Sequence, residues 1–127
     1  MQDRHIFEYA VIRVVPRVER EEFLNVGVIL YCRGLKYLHT LFNVNELRLS
    51  YCCNQIDFSD LLKNLESLEK ICVGGNQAGP IGLLDVASRF RWLTATRSTI
   101  LQTSKVHSGF CADPAETLQK LFRELVL

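Results

Sequence analysis

The stretch His5-Ile-Phe-Glu-Tyr-Ala-Val-Ile-Arg-Val-Val15 carries β-branched and aromatic side chains at both odd and even positions. This composition is typical of a central strand that is covered on both faces of its sheet. Residues 24–32 predict a second strand, in which Gly27 indicates a bulge or a close backbone approach. The turn at Arg33-Gly34 and residues 35–42 predict a third strand, so the second and third strands form a hairpin.

After residue 56 the spacing of apolar residues changes from two to three and four, which is typical of helices. These patterns predict helices over residues 58–73, 83–93 and 114–125, one helical turn within 43–50, and a fourth strand over 96–104. Asp57 and Asp113 are placed as N-caps. Strands grouped ahead of helices favour an α+β fold with an antiparallel sheet of three to four strands and helices packed on it. The length predicts a single domain over residues 1–127.

Charge and hydropathy argue against the classes of nucleic-acid-binding and membrane proteins. The net charge is +1, so bulk electrostatics indicate neither a nucleic-acid partner nor a membrane partner. No apolar run approaches the roughly 20 residues of a membrane span, and the first residues lack the pattern of a signal peptide. We therefore expect a cytoplasmic protein without membrane contact.

The cysteines and glycines predict neither a metal site nor a cofactor site. Five cysteines are an odd number, and none forms a Cys-x-x-Cys pair, so we expect five reduced thiols and no metal. The glycine-rich residues 74–80 lack the Gly-Lys-Ser/Thr ending of a phosphate-binding loop, so we expect no cofactor. The cysteines are Cys32, Cys52, Cys53, Cys72 and Cys111.

Arg13 interrupts an otherwise apolar strand, and a buried guanidinium needs a partner. Glu21, Glu22 and Asn25 lie near the start of a strand that pairs with the first one in the predicted sheet. Two interpretations stay open: a structural ion pair, or an arginine that points into a polar pocket.

The segment from Ala87 to Ala112 has no acidic residue, and hydroxyl side chains lie between its basic ones. Arginine forks and hydroxyl donors suit phosphate or carboxylate oxygens, so this segment predicts an anion-contacting surface. The rings of Phe90 and Trp92 either offer stacking faces for a base or belong to the core. Nucleic acid is the less expected ligand because the total charge is small. His107 is either a general acid or base or a solvated loop residue. The basic residues are Arg89, Arg91, Arg97 and Lys105.

Several stretches match one known family when they are taken together. They are Tyr9–Pro16, Glu22–Leu30, Gly79–Gly82, Arg89-Phe90, Trp92–Ala95, Arg97–Thr99, Gln102, Val106–Gly109 and Asp113-Pro114. The chain resembles the bacterial "domain of unknown function 3037" family over nearly its whole length, and residues 43–73 match by pattern only. The resemblance implies a compact bacterial protein of unestablished activity, with a HipA-like kinase as a protein partner.

The polar signature of this family falls on residues already singled out by their chemistry, which we expect to share one polar site. They are Arg13, Glu22, Asn25, Arg97, Ser98, Gln102 and His107. One function class is a binding module that contacts an anionic ligand or a protein partner through these residues. The alternative is a small hydrolase or phosphotransfer-type enzyme in which His107 is the acid or base and Arg97 holds an anion. The sequence contains no recognisable nucleophile–base pair, metal cluster or cofactor loop, which favours the binding module.

Overall fold

The computed structural model describes residues 4–15, 23–52, 56–95 and 100–127. Within these ranges an antiparallel sheet of five strands carries helices on both faces, which confirms the α+β fold. The strands are β1 (His5–Val14), β2 (Leu24–Cys32), β3 (Tyr37–Phe42), β4 (Leu101–Thr103) and β5 (His107–Cys111). The helices are α1 (Glu46–Cys52), α2 (Phe58–Val73), α3 (Gly79–Gly82), α4 (Val86–Leu93) and α5 (Pro114–Leu125). None of these helices is both long enough and apolar enough to cross a membrane.

β1 lies at the centre of the sheet, as its apolar composition predicts. β2 pairs with one side of β1, and β3 pairs with the outer side of β2. β4 and β5 share the other side of β1, where they pair with its second and first halves respectively. Ser104 connects the two short strands to β1, because its N–H donates to the Val11 carbonyl and its Oγ accepts from the Val11 N–H, both at 2.8 Å.

Each face of β1 packs against a separate set of helices. Alternation along a strand sends successive side chains to opposite faces, so both faces of an apolar strand are buried at once. The cluster under α2 and α4 includes Ile12, Val14, Leu65, Phe90 and Leu93. The cluster under α5 includes Phe7, Val28, Leu30 and Leu118. α5 lies over β2 and β3.

The predicted N-caps of α2 and α5 are confirmed. The Asp57 carboxylate accepts from the Ser59 and Asp60 N–H groups, and the Asp113 carboxylate accepts from the two N–H groups that follow Pro114. α4 begins at residue 86, not at residue 83, because Asp85 is its N-cap and accepts from the Ser88 N–H at 2.8 Å.

Three further predictions need correction. β3 begins at Tyr37, not at residue 35, because Arg33–Leu35 form a 3-10 turn that ends with Lys36 at φ 50°. Residues 43–50 were predicted to hold one turn, whereas α1 has seven residues and begins at Glu46. The sheet has five strands in the described ranges instead of three to four, because β5 forms in a segment for which no strand was predicted. Within the described residues, β4 covers only Leu101–Thr103 of the predicted 96–104 strand. Residues 96–99 of that predicted strand lie outside the described residues.

An arginine of α4 donates hydrogen bonds to the C-terminal end of α2. Carbonyls in the last turn of a helix have no partner within the helix. Arg89 Nη1 donates to the carbonyls of Ile71 and Cys72 at 2.9 and 2.8 Å, and its Nε donates to the Leu84 carbonyl at 3.2 Å. The guanidinium lies so close to Gly74 that a Cβ built there would be 2.5 Å from Nη1. Arg89 therefore fixes α2 to α4.

Candidate functional site

Three predicted site residues form a row across three strands. Arg13 on β1 lies directly opposite Asn25 on β2 and directly opposite Gln102 on β4. Cross-strand neighbours of this kind have Cβ atoms about 5 Å apart and point to the same face. This row, Asn25–Arg13–Gln102, lies on the face of the sheet that carries α5, which we call the α5 face.

A β-bulge in β2 places Asn25 on the α5 face. Ile12 pairs with Gly27 but Arg13 pairs with Asn25, so Val26 is the extra residue of β2 at this point. With regular pairing Arg13 would oppose Val26, and the Asn25 side chain would point to the opposite face. The bulge indicated by Gly27 is therefore present, and it completes the polar row.

The Arg13 guanidinium is half-buried beside an aromatic ring. Its Cζ lies 3.9 Å from the centroid of the Phe23 ring, and its Nε is buried without a hydrogen-bond partner among the described residues. Desolvation by this burial lowers the pKa of Arg13 below its ordinary value. Stacking on a ring occupies the flat face of a guanidinium and leaves its in-plane N–H groups as donors.

Asn25 connects the row to the end of α5 and to a small cavity. Its Nδ2 donates to the Leu125 carbonyl at 3.1 Å, whereas its buried Oδ1 has no partner within the described ranges. The adjoining cavity has a volume of about 240 Å³. Its polar lining consists of Asn25, Asn43, Asn45 and Arg48. This volume is below the usual range for cofactor and drug-sized ligands, so the cavity suits one small polar group.

The structure does not bring His107 into the row. His107 begins β5, is exposed, and pairs with Tyr9, whose ring centroid is 5.2 Å from its own. Tyr9 is four residues from Arg13 along β1, which is about 13 Å at about 3.3 Å per residue. His107 therefore shares the α5 face with Arg13 but lies at the other end of it. Three further predicted site residues, Glu22, Arg97 and Ser98, lie outside the described residues.

Two of the four basic residues in the predicted anion-contacting surface are engaged within the protein. Arg89 is buried against helix carbonyls, as described above. Arg91 Nη2 donates to both carboxylate oxygens of Glu8, at 3.1 and 2.9 Å. Phe90 is fully buried and belongs to the core, while Trp92 is 39% exposed and lines an apolar groove between α2 and α4. Among its described residues, the acid-free segment therefore does not form a continuous basic surface.

Arg48, Asn43 and Asn45 were missed by the sequence prediction. In the sequence, Asn45 is indistinguishable from an ordinary helix N-cap. In the structure its Oδ1 does accept from the Arg48 N–H, at 3.0 Å. Asn43 follows β3 and donates its N–H to the Val26 carbonyl at 2.7 Å, beside the bulge. These side chains line one cavity with Asn25 because the segment after β3 returns beside β2, and no local pattern signals that position.

Three cysteines of the described ranges are buried thiols. Cys32, Cys72 and Cys111 form no disulfide, and no group of three metal-ligating side chains occurs in the described ranges. Burial raises the pKa of Cys72 to about 12, partly offset by the nearby Arg89 charge. Desolvation also raises the pKa of Cys111.

We expect Cys72 to resist alkylation in the folded protein at pH 8, because the thiolate is the nucleophile and a raised pKa keeps the thiol protonated. Mass spectrometry after iodoacetamide treatment should find Cys72 unmodified without denaturant, and five modified cysteines in guanidinium chloride. Because burial disfavours the thiolate, the free energy of unfolding should fall as the pH rises from about 9 to about 12, where the thiol ionises in the unfolded chain first. Rapid native alkylation of Cys72, or a missing pair of thiols after denaturation, would contradict this prediction.

Comparison with known proteins adds a family but no activity. The chain is 38% identical over 64 residues to NACHT, LRR and PYD domains-containing protein 3 of Bos taurus. The matched region is 47% of this chain but only 6% of that protein, so the likeness covers a small part of the relative's length. No solved structure matches the chain. The model of the family described as protein of unknown function (DUF3037) matches residues 9–126, as the sequence resemblance predicts, and the chain therefore belongs to that family.

Proposed function

We propose that this domain is a binding module that takes a carboxylate or phosphate group of a protein partner at the row Asn25–Arg13–Gln102. The observation that carries the proposal is the pair of buried polar atoms without partners, Arg13 Nε and Asn25 Oδ1, on directly opposed residues. A buried polar group left without a hydrogen bond costs about 1–3 kcal/mol, so a ligand that satisfies both atoms gains that free energy. An oxyanion accepts from Nε–H, and a hydroxyl or N–H of the same ligand donates to Oδ1.

The surroundings of the row favour a small anionic group. Phe23 covers one face of the Arg13 guanidinium and is itself 51% exposed, so the guanidinium lies near the surface. Arg48 adds a second positive charge on the wall of the adjoining cavity. Charge-assisted hydrogen bonds from arginine to carboxylate or phosphate are roughly twice as strong as neutral ones.

On the basis of the family resemblance, we propose a HipA-like kinase in the bacterial cytosol as the first partner to test. The enzyme alternative gains no support from the described residues. His107, its proposed acid or base, makes its ring contact with Tyr9 and lies about 13 Å along the strand from Arg13.

Replacing Arg13 with lysine tests the proposal, because lysine keeps the charge but loses the fork. NMR chemical shifts of β1 and β2 amides would report the binding of inorganic phosphate or acetate. We expect the affinity for these anions to fall about tenfold, since a charge-assisted hydrogen bond contributes about 1.5–3 kcal/mol. Comparing phosphate with acetate identifies which oxyanion the site prefers.

Arg123→Lys is the matched control, because Arg123 is an exposed arginine on α5. It should bind both anions as the wild type does. If neither anion shifts the β1 and β2 amides of the wild type, and Arg13→Lys only lowers the melting temperature, the row is a structural network and the proposal is wrong.

A further inference from the structure

The two buried atoms without partners in the row Asn25–Arg13–Gln102 have opposite hydrogen-bonding requirements. Arg13 Nε–H is a donor and Asn25 Oδ1 is an acceptor, and neither has a partner among the described residues. The two residues are directly opposed on neighbouring strands, so their side chains leave the sheet side by side on the α5 face. A ligand group that satisfies both atoms has to accept one hydrogen bond and donate another at adjacent positions.

The orientation of the Asn25 amide is fixed by its neighbour on α5. The nitrogen and the oxygen of an asparagine amide have nearly the same shape, so hydrogen bonds decide which is which. The Leu125 carbonyl oxygen is an acceptor, and the amide atom 3.1 Å from it is therefore Nδ2, the donor. The atom left without a partner is the oxygen, so a ligand at this position has to bring a hydrogen.

The common oxyanions differ in whether they bring this hydrogen. An ionised carboxylate is an acceptor only, and the same holds for a sulfate ester or a phosphodiester, whose charged group carries no hydrogen. A phosphomonoester gives up its last proton only near neutral pH, so its monoanion carries one P–OH beside its P–O⁻ oxygens. Donor and acceptor are then bonded to the same phosphorus atom, which matches the two adjacent requirements of the row.

The charges beside the row favour an anion, while the free acceptor disfavours a fully ionised one. Arg48 lines the adjoining cavity of about 240 Å³, and none of the described residues that line this cavity has a carboxylate side chain. The Arg13 guanidinium stacks on Phe23, which leaves its in-plane N–H groups as donors. An anion without a hydrogen would satisfy Arg13 but would place an oxygen lone pair against Asn25 Oδ1, which costs the unmade hydrogen bond.

We propose that the row selects a phosphomonoester in its monoanionic form, with a P–O⁻ oxygen accepting from Arg13 Nε–H and the P–OH donating to Asn25 Oδ1. This assignment rests on the proposed function, since it names the class of anion for the same site. Selectivity against carboxylate and sulfate then comes from the acceptor, because those groups leave Oδ1 facing another acceptor.

Three small anions of equal charge test the proposal. At about pH 5, below the second ionisation of a phosphomonoester, methyl phosphate, dimethyl phosphate and methyl sulfate each carry one negative charge. Only methyl phosphate has a hydroxyl, and methyl sulfate matches it in size. NMR chemical shifts of β1 and β2 amides measure each affinity, and we expect methyl phosphate to bind about tenfold more tightly than the other two.

Two variants locate the source of this preference. Asn25→Leu removes the acceptor, so it should bind the three anions about equally. Asn64→Leu is the matched control, because Asn64 is exposed on α2, and it should keep the preference of the wild type. The comparison of anions on the wild type needs no variant, so it decides the question even if Asn25→Leu does not fold.

Two larger ligands distinguish where the phosphomonoester comes from. A blocked tripeptide with a central phosphoserine should bind more tightly than methyl phosphate if the site takes a phosphorylated segment of a partner protein. A sugar phosphate should do so if the site takes a small phosphorylated metabolite. Both results support the phosphomonoester class.

The proposal is overturned if methyl sulfate or dimethyl phosphate binds as tightly as methyl phosphate, or if Asn25→Leu keeps the preference. If these anions bind equally and Arg13→Lys weakens all of them, the anion site of the proposed function stands, but its selectivity for a phosphomonoester does not. If neither these anions nor acetate shifts the β1 and β2 amides, both the proposed function and this assignment are wrong.

Discussion

Replacing Arg89 with methionine is expected to lower the free energy of unfolding by about 3 kcal/mol. Methionine keeps much of the apolar stem but has no donor, so the carbonyls of Ile71, Cys72 and Leu84 lose their hydrogen bonds. Each buried carbonyl left without a partner costs about 1–3 kcal/mol, and part of this loss is recovered where water enters. Urea unfolding followed by circular dichroism measures the difference.

Arg91→Met is the matched control, two residues further along the same helix. Arg91 bonds to Glu8 at the surface, and its side chain is 57% exposed. Exposed ion pairs contribute about 0–1 kcal/mol, so this variant should unfold nearly as the wild type does. Equal losses for the two variants would show that Arg89 is not the residue that connects α2 to α4.

Replacing Gly27 with alanine is expected to destabilise the fold by about 2–3 kcal/mol, although alanine elsewhere in a strand is usually tolerated. A Cβ at this position would lie 2.8 Å from the Leu41 carbonyl oxygen, 3.0 Å from Phe42 Cβ and 3.1 Å from Ile12 Cδ1. The carbonyl belongs to the neighbouring strand β3, so relief of the clash requires β2 and β3 to separate. Thermal and urea unfolding both measure the effect.

Gly34→Ala tests whether the effect belongs to this position. Gly34 is exposed, and the nearest atom to its built Cβ is His5 Nδ1 at 3.2 Å. We expect a change within about 0.5 kcal/mol, as for most surface substitutions. A stable Gly27→Ala protein would mean that β3 yields easily and that the close approach has no energetic role.

The elements that the sequence predicts well are those with local signals. β1, β2, α2 and α5 follow from apolar spacing, and the caps Asp57 and Asp113 fix where the two helices begin. β5 has no such signal, since its five residues include His107, Ser108 and Gly109. It is a strand because β1, about a hundred residues earlier in the chain, offers it a partner.

The residues of the candidate site also divide into those that a local sequence signal predicts and those that only contacts distant in sequence bring together. Arg13 is predicted as a site residue because it interrupts an apolar strand, and Asn25 because it lies near the start of the next strand. Their exact opposition depends on the bulge at Val26, which apolar alternation does not encode. Arg89 looks like part of a basic surface in the sequence, and only the meeting of α2 and α4 shows that its donors are used inside the protein.

The bulge also determines how the chain tolerates changes in length. A deletion of one residue in a surface loop is usually absorbed by the loop. Deletion of Val26 would likewise be absorbed, because it removes the extra residue of the bulge and leaves Asn25 opposite Arg13 and Leu24 opposite Val14, with the loss of the buried Val26 side chain. Alignments of the family should therefore allow a gap of one residue at Val26, where a change of length leaves the faces of the neighbouring side chains unchanged.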